Sequence, residues 1–229
     1  KGSTYVVGDR EMSYEIYYEP NSNLVDYVLM PVGELQSSIS YTYDEFERVT
    51  KKQNSFSSSL NFYEQYGYYG YTDANGVEHT SSLVSTLTFG GNTSYTTPAV
   101  YSYVYNSLGY ITQIKKDGVI INEYTYDSLG QLTCEEDAVA GVTYIYYYDK
   151  AGNITQKDSY PFADGAIMGD YISYLASQKQ TVGTYIYNNS SWGDLLGVYN
   201  GKIIFYDEIG NPTNWRNATN LTWEGRELQ

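Results

Sequence analysis

The chain has 229 residues, a formal net charge of −14 and 30 tyrosines, against 6 phenylalanines and 3 tryptophans. This charge argues against nucleic acids and anionic membrane surfaces as partners, because like charges repel. The single cysteine, Cys134, excludes an internal disulfide and a thiolate metal cluster. No apolar run in the sequence approaches the length of a membrane span.

Residues 1–100 are predicted to form a degenerate N-terminal β segment. It contains one clear Tyr-x-Tyr-Asp pattern, YTYDEFERVT at 41–50, and a candidate second copy with one residue inserted, YTDANGVEHT at 71–80. Residues 51–100 are rich in Ser, Tyr and Gly, and stretches such as SLVSTLTF at 82–89 alternate as strands do. The sequence leaves open whether this segment is a cap or a series of ordinary repeats.

Residues 101–229 are predicted to form an array of β-hairpins, with strands near 101–105, 110–116, 119–126, 131–136, 142–148 and 153–158. The pattern returns in the array as YVYNSLGYIT at 103–112, YTYDSLGQLT at 124–133, YYYDKAGNIT at 146–155 and IFYDEIGNPT at 204–213. Tyr105, Tyr126 and Tyr148 are 21 and 22 residues apart, which suits one up-and-down hairpin per copy. Asp117-Gly118 supplies a second turn between copies.

The pattern itself predicts a tight turn. Alternation places its two tyrosines on one face of a strand, Asp or Asn opens a type I turn, and the glycine three residues later takes the left-handed conformation. Glu47 stands at the glycine position of the first copy, so either the glutamate is left-handed or this loop has another shape, and the pattern favours a left-handed glutamate. The residues assigned to this structural motif are Tyr41, Tyr43, Asp44, Tyr103, Tyr105, Asn106, Gly109, Tyr124, Tyr126, Asp127, Gly130, Tyr146, Tyr148, Asp149, Gly152, Tyr206, Asp207 and Gly210.

An insertion at 159–183 interrupts the array. Within it, AIMGDYISYLASQK at 166–179 predicts at most a helical turn inside a long loop. YIYNNSSWGDLL at 185–196 is interpreted as a degenerate copy, and the final LTWEGRELQ as half a unit. The predicted fold is therefore all-β: an antiparallel meander of hairpins that forms a curved, open sheet.

This repeat resembles that of the RHS/YD-repeat family, whose mark is Tyr-x-Tyr-Asp-x-x-Gly-x-(Ile/Leu/Val)-Thr. The tail YDEIGNPTNWRNATNLTWEGREL and the segment WGDLL resemble RHS repeats of Gram-positive surface and secreted proteins. The resemblance covers residues 100–229 well, 41–50 locally and the remainder weakly. It implies hairpins that spiral into a large shell, of which this chain is expected to be an open piece cut from a longer protein.

The resemblance also implies a function and a location. The chain is expected to serve as shell wall or stalk in an extracellular or cell-surface protein, as in polymorphic toxins and wall-associated RHS proteins. The implied partners are the rest of the same polypeptide and an enclosed C-terminal toxin, with no cofactor and no nucleic acid. Unpaired strand edges predict edge-to-edge self-association.

The chain offers few residues for catalysis or metal binding. His79 is the only histidine and is predicted to be exposed near a turn. Cys134 has acidic neighbours, which disfavour a reactive thiolate. The segment DANG at 73–76 lacks calcium-loop spacing, and the carboxylates recur at turns rather than converge as an acid–base pair. We therefore predict no enzymatic activity.

An alternative function is an adhesin-like module that binds neutral glycans. Tyrosine and tryptophan rings stack on sugars, and the foremost candidates are Trp192, Trp215 and Trp223. The competing interpretation is that these rings pack between sheet layers. The face on which the aromatic residues lie distinguishes the two, and the net charge of −14 disfavours sulfated glycans.

Overall fold

The computed structural model of the protein describes residues 2–7, 10–32, 35–57, 60–92, 97–163, 168–173 and 175–228. The chain divides into two compact units, Lys1–Ile120 and Ile121–Gln229. This division falls after the copy at 103–112, whereas the sequence-based division at residue 100 marks where the repeat becomes regular. Among the described residues, no helix is both long and apolar enough to cross a membrane.

The first unit is an antiparallel meander in which each strand pairs with the next along the chain. Its strands are β1 (Gly2–Val7), β2 (Arg10–Tyr18), β3 (Val25–Val32), β4 (Leu35–Tyr43), β5 (Val49–Ser57), β6 (Leu60–Thr72), β7 (Glu78–Gly91), β8 (Ala99–Tyr105) and β9 (Ile111–Lys116). Alternating Tyr, Val, Ile and Thr suit such strands because these side chains pack well on a half-buried pleated surface.

The second unit is also built from antiparallel hairpins, with shorter strands. Its elements are β10 (Val119–Tyr126, which begins two residues before the division), β11 (Leu132–Asp137), β12 (Val142–Tyr148), β13 (Ile154–Pro161), α1 (Met168–Ile172), a 3₁₀ helix (Ala176–Gln178), β14 (Gln180–Ile186), β15 (Val198–Tyr199), β16 (Lys202–Ile203), β17 (Asn214–Trp215), β18 (Ala218–Thr219), β19 (Trp223–Glu224) and β20 (Glu227–Leu228). Strands β10 to β16 pair in chain order, while β17–β18 and β19–β20 are separate two-stranded hairpins.

The predicted all-β antiparallel meander with an open, linear strand order is confirmed. The six strands predicted between residues 101 and 158 each lie within three residues of an observed strand. The helical turn predicted in the insertion is also confirmed, because α1 has five residues. The copy at 204–213 differs from the others, since only an isolated bridge between Tyr206 and Pro212 flanks its turn.

A small core pins the insertion to the second unit. Tyr171 of α1 is fully buried and packs with Cys134, Ile145 and Tyr160. Its hydroxyl donates to a carboxylate oxygen of Glu136 at 2.8 Å. The buried ring and the satisfied hydroxyl together hold the insertion against strands β11 to β13, since a buried tyrosine needs a partner for its polar tip.

The buried carboxylate of Asp158 joins the two ends of the insertion. It accepts hydrogen bonds from Gln156 at 2.9 Å and from Thr181 at 2.7 Å, and Lys179 lies at 3.3 Å. Burial opposes ionisation of Asp158, but the bonds from Thr181, Gln156 and Lys179 prevail and hold its pKa below the usual range. The carboxylate therefore has a structural role, because its oxygens contact residues on both sides of the insertion loop.

Candidate functional site

The best-defined constellation is the turn of the repeat. In the copy at 124–133, Asp127 Oδ1 accepts hydrogen bonds from the backbone amides of Leu129 and Gln131, both at 2.9 Å. The amide of Gly130 donates to the Asp127 carbonyl at 3.1 Å, which closes a type I turn. The same two side-chain bonds, at 2.8 to 3.1 Å, occur at Asp44, Asp73, Asn106, Asp149 and Asp207.

The fourth position of the turn is left-handed in the six copies that form this turn. The φ angles are 83° at Gly109, 80° at Gly130, 88° at Gly152 and 87° at Gly210. Glu47 occupies the same position with a φ of 61°, so the expectation of a left-handed glutamate is confirmed. The copy at 71–80 uses the same four-residue turn, and its additional residue, Thr72, lies before the aspartate rather than inside the turn.

A fifth position, which the sequence analysis missed, completes the turn. The second carboxylate oxygen of the aspartate accepts a side-chain hydrogen bond from the residue four positions later. The pairs are Arg48 to Asp44 at 2.7 Å, Gln131 to Asp127 at 2.7 Å, Asn153 to Asp149 at 3.1 Å and Asn211 to Asp207 at 3.0 Å. Where the opener is Asn106, the fifth residue is Tyr110. The signal was therefore present in the sequence: an Arg, Gln or Asn side chain follows the aspartate by four positions in each of these four copies.

These hydrogen bonds lower the pKa of the turn aspartates. Backbone bonds are the largest cause that lowers the pKa of Asp127, Asp149 and Asp207, and the side-chain bond from Arg48 is the largest cause at Asp44. A carboxylate held ionised by fixed donors is a poor general acid, because it does not carry a proton at neutral pH. The turn aspartate therefore holds its own loop together and is poorly suited to exchange a proton with a substrate.

The second tyrosine of the motif joins one hairpin to the strand before it. Its hydroxyl donates to a backbone carbonyl 10 to 21 residues earlier in the chain. The bonds run from Tyr43 to Val25 at 2.9 Å, from Tyr105 to Val84 at 2.8 Å, from Tyr148 to Leu132 at 2.7 Å and from Tyr206 to Leu196 at 2.7 Å. The polar tips of these rings are therefore occupied within the protein.

The last letter of the motif, threonine, accompanies a β-bulge. The strand register shifts just before the second tyrosine, for example between Thr125 and Tyr126 and between Tyr147 and Tyr148. The hydroxyls of Thr133 and Thr155 donate to the carbonyls of Thr125 and Tyr147, at 3.1 and 3.2 Å. A bulge disrupts the ladder locally, and the threonine hydroxyl supplies a hydrogen bond at that point.

The first tyrosines of the motif are half-buried rather than displayed in a row. Tyr41, Tyr103, Tyr124 and Tyr146 all have intermediate exposure. The hydroxyl of Tyr146 donates to Glu135 at 2.6 Å, and burial is the largest cause that raises the pKa of Tyr103, Tyr124 and Tyr146. These rings therefore pack within the sheet.

A further turn near the N-terminus was also missed in the sequence. The register shifts between Tyr17 and Tyr18, as it does before the turn in the motif copies. The amide of Glu19 then donates to the Leu24 carbonyl at 2.9 Å, and Asn21 has a φ of 60°. The loop is one residue longer than the motif turn and has glutamate in place of aspartate, so the pattern does not reveal it.

The three tryptophans lie in different surroundings. Trp192 is 54% exposed and covers the turn at Gly210, where an added Cβ would lie 3.0 Å from its ring. Trp215 is 37% exposed and stacks on Tyr199 with the ring centroids 5.1 Å apart. Trp223 is half-buried, and its indole N–H donates to the Pro212 carbonyl at 2.8 Å. Trp192 and Trp215 thus expose more ring surface than Trp223.

The remaining candidates for chemistry do not form a site. His79 is exposed, as predicted, but it stacks on Tyr71 and its Nε2 lies 3.2 Å from Asp73 Oδ2. Cys134 is 2% exposed, and burial, followed by the charges of Glu136 and Glu135, raises its pKa to about 12. In the described part of the chain, no group of three or more His, Cys, Asp or Glu side chains could hold a metal ion.

Comparison with known proteins finds similarity to solved structures but to no protein family. No family model matches the chain, and no curated protein matches it. Among solved structures, it is similar to a chain in the crystal structure of TcdB2-TccC3-TEV, with 14% sequence identity and a TM-score of 0.42. The alignment covers 96% of this chain and 14% of that chain.

Proposed function

We propose that the chain is a structural segment of a large RHS-repeat protein and serves as the wall of a shell that encloses a toxin or other cargo. The observation that supports this role is the use of the motif residues. The second tyrosines bond to earlier backbone, and the turn aspartates bond to their own loops. A wall needs such internal joints between successive strands and few free polar groups.

Limited proteolysis of the intact polypeptide tests the wall role. Gly130→Val should open the turn at 127–130 and expose the enclosed segment, so that this segment is cleaved faster than in the native protein. Leu129→Ser is the matched control, because Leu129 lies in the same turn and is 79% exposed. The proposal would be contradicted if Gly130→Val destabilises the wall but the enclosed segment is cleaved at the same rate as in the native protein.

We also propose that this segment is not an enzyme and lies outside the cell or on its surface. Support for the first statement comes from the turn aspartates, whose oxygens are occupied by donors. Turnover on a glycoside or peptide panel that disappears in Asp127→Asn would contradict it.

Antibody labelling of intact cells checks the proposed location. Sedimentation at increasing concentration checks edge-to-edge association, which unpaired strand edges favour.

A second candidate function is the binding of neutral glycans. The exposed rings of Trp192 and Trp215 favour it, because flat aromatic faces stack on the C–H faces of sugars. An array of neutral glycans tests it, with Trp192→Ala and Trp215→Ala expected to lose binding. Trp223→Phe is the comparison, because the indole of Trp223 is engaged with Pro212. Glycan binding that survives both alanine substitutions would contradict the assignment to these rings.

A further inference from the structure

A cleft of about 300 Å³ lies at the C-terminal end of the second unit. It is lined by Tyr199, Asn200, Lys202 and Arg216, from the β15–β16 turn and the β17–β18 turn. The side chain of Asn200 is part of the scaffold, since its oxygen accepts from the Thr184 amide at 2.6 Å and its nitrogen donates to the Val182 carbonyl at 3.2 Å. The groups left to meet a ligand inside the cleft are the two cations and the ring of Tyr199.

The cleft is positively charged in a strongly acidic chain. Neither Lys202 nor Arg216 forms an ion pair within the described residues. The Lys202 ammonium donates instead to neutral acceptors, the side-chain oxygen of Asn217 at 2.6 Å and the Arg216 carbonyl at 3.4 Å. The sequence has 27 acidic and 13 basic residues, so the chain as a whole is negatively charged. Two neighbouring cations without a carboxylate partner give the cleft a charge of the opposite sign.

The backbone at Arg216 is strained. Its φ is 54°, a left-handed value that glycine or asparagine adopts more readily than arginine. The neighbouring hairpin uses Asn200 and Gly201, with φ values of 48° and 74°, at its own turn. Turn chemistry therefore does not explain an arginine at this position, and a strained residue whose guanidinium has no ion-pair partner among the described residues points to a use for that group.

Aromatic packing fixes the guanidinium at the cleft. Arg216 Cζ lies 5.6 Å from the ring centroid of Tyr199 and 5.7 Å from that of Trp215, beside the stack that these two rings form. A guanidinium held in this way is preorganised for a planar anion, because its N–H groups match the two oxygens of a carboxylate. The partly exposed ring of Trp215 offers an adjacent flat surface.

We propose that this cleft binds a uronic acid residue of a glycan, with the sugar ring on Trp215 and its carboxylate on Arg216 and Lys202. The inference rests on the sugar-stacking role proposed for Trp215 and adds a charge requirement for tight binding: the sugar carries one negative charge, and its neutral counterpart binds more weakly. A single carboxylate per ring suits the site better than a polyanion, because the net charge of −14 repels densely charged chains.

Titration by intrinsic fluorescence tests the charge requirement with three probes: methyl β-glucuronide, methyl β-glucoside and sodium acetate. The glucoside is the neutral counterpart of the glucuronide, and acetate carries the anion without the ring. The glucuronide is expected to bind at least tenfold more tightly than either, a difference of about 1.4 kcal/mol. Its affinity should fall when the ionic strength rises from about 0.01 to 0.15 M, because salt screens exposed charges.

Arg216→Gly is the decisive variant, because it removes the guanidinium and also relieves the backbone strain, so that the turn still forms. It should weaken glucuronide binding at least tenfold, and Lys202→Gln should weaken it less. Lys150→Gln removes one exposed positive charge from a turn that does not line the cleft and should leave binding unchanged.

The outcomes separate the two proposals. Equal binding of glucoside and glucuronide, unaffected by Arg216→Gly, would overturn the charge requirement and leave the neutral-glycan role of Trp215 standing. Binding of acetate as tight as that of the glucuronide would reduce the cleft to a simple anion site and overturn the sugar. If no probe binds, this inference and the stacking role of Trp215 both fail, while the wall function is unaffected.

Discussion

At the scale of the residue, the repeat works because one aspartate satisfies several donors at once. Asp127 accepts two backbone N–H groups with one carboxylate oxygen and the Gln131 amide with the other. A hairpin loop would otherwise leave these donors to water, and a charged acceptor makes stronger bonds than a neutral one. The glycine then supplies the left-handed backbone that returns the chain into the next strand.

Substitution at the left-handed position separates backbone strain from lost contacts. An added Cβ at Gly109 would meet no atom within 4 Å, so Gly109→Val should destabilise by about 1–2 kcal/mol through its φ alone. Glu47→Gly removes the same strain from the first copy and should be neutral or stabilising by up to about 1 kcal/mol, partly offset by the freedom of glycine in the unfolded chain. Urea denaturation measures both, and a Glu47→Gly variant as unstable as Gly109→Val would refute the argument.

The turn carboxylates make stability depend on acid pH. The folded-state pKa of Asp127 is lowered, so its contribution is present above the pKa of the unfolded chain, about 3.9, and is lost as the pH falls through the folded value. Asp127→Asn cannot ionise and should be less stable than the native protein at neutral pH. Denaturation curves at several pH values should show the two converging below about pH 4.

Glu45→Gln is the control for this experiment, because Glu45 is an exposed carboxylate in the corresponding turn of the first copy. It should change stability little at any pH in the series. A constant difference between Asp127→Asn and the native protein from neutral to acid pH would show that the charge of Asp127 is not what stabilises the turn.

Local turn chemistry could be predicted from the sequence, but the distant partners of the same residues could not. The aspartate and the glycine act on residues within four positions, so their pattern reveals them. The acceptor of the Tyr148 hydroxyl, Leu132, lies 16 residues away and contributes only its carbonyl, which leaves no mark in the sequence. The cleft at Lys202 and Arg216 was missed for the same reason, since two separate turns form it.

At the scale of the element, a hydrogen bond from the second tyrosine joins a hairpin to earlier backbone in four copies of the motif. The bond reaches across strands and is repeated in copies of both units, at Tyr105 and Tyr148 among others. The bulge beside it increases the local twist of the strand. A hairpin of two strands is marginally stable alone, so this link to the preceding strand is a means by which one copy supports the next.

Removal of the hydroxyl tests this link without removing the ring. Tyr105→Phe and Tyr148→Phe should each lower the free energy of unfolding by about 1 kcal/mol, the net value of one hydrogen bond. Tyr71→Phe is the control, because Tyr71 is 67% exposed and keeps its stacking on His79 as phenylalanine. If the two phenylalanine variants are as stable as the control, the tyrosine bond does not join the hairpins.

Regular elements were predictable where the repeat is regular, and less so elsewhere. Between residues 101 and 158, dense turn signals gave the strands within three residues. The turn after Tyr18 escaped because a longer loop replaces the Asp-to-Gly spacing. The copy at 185–196 departs further: Asn189 rather than Asn188 accepts the turn amides of Ser191 and Trp192, both at 2.9 Å. The residue that opens this turn is thus one position later than the pattern indicates.

At the scale of the whole molecule, tyrosine is the principal packing residue. Ionisation of its hydroxyl makes the stability of the sheets depend on pH in the alkaline range. Burial is the largest cause that raises the pKa of Tyr66 and Tyr147, each to about 12, and it raises the pKa of Tyr146 still further. An unfolded tyrosine ionises near pH 10. Their contribution to stability is therefore fully present below pH 10 and is lost as the pH rises through the folded values.

We therefore expect tyrosinate to form in two phases during an alkaline titration followed by ultraviolet absorbance. The first phase should lie near pH 10, the ordinary pKa of an exposed tyrosine, with the circular dichroism of the sheets intact, and the buried rings should ionise only as that signal is lost. Tyr146→Phe removes a hydroxyl whose ionisation favours the unfolded chain at alkaline pH. After correction for any change in stability at neutral pH, the second phase of this variant should therefore occur at a higher pH than in the native protein. Ionisation of all tyrosines in a single step near pH 10, with the sheets still folded, would mean that the rings are not buried as the packing requires.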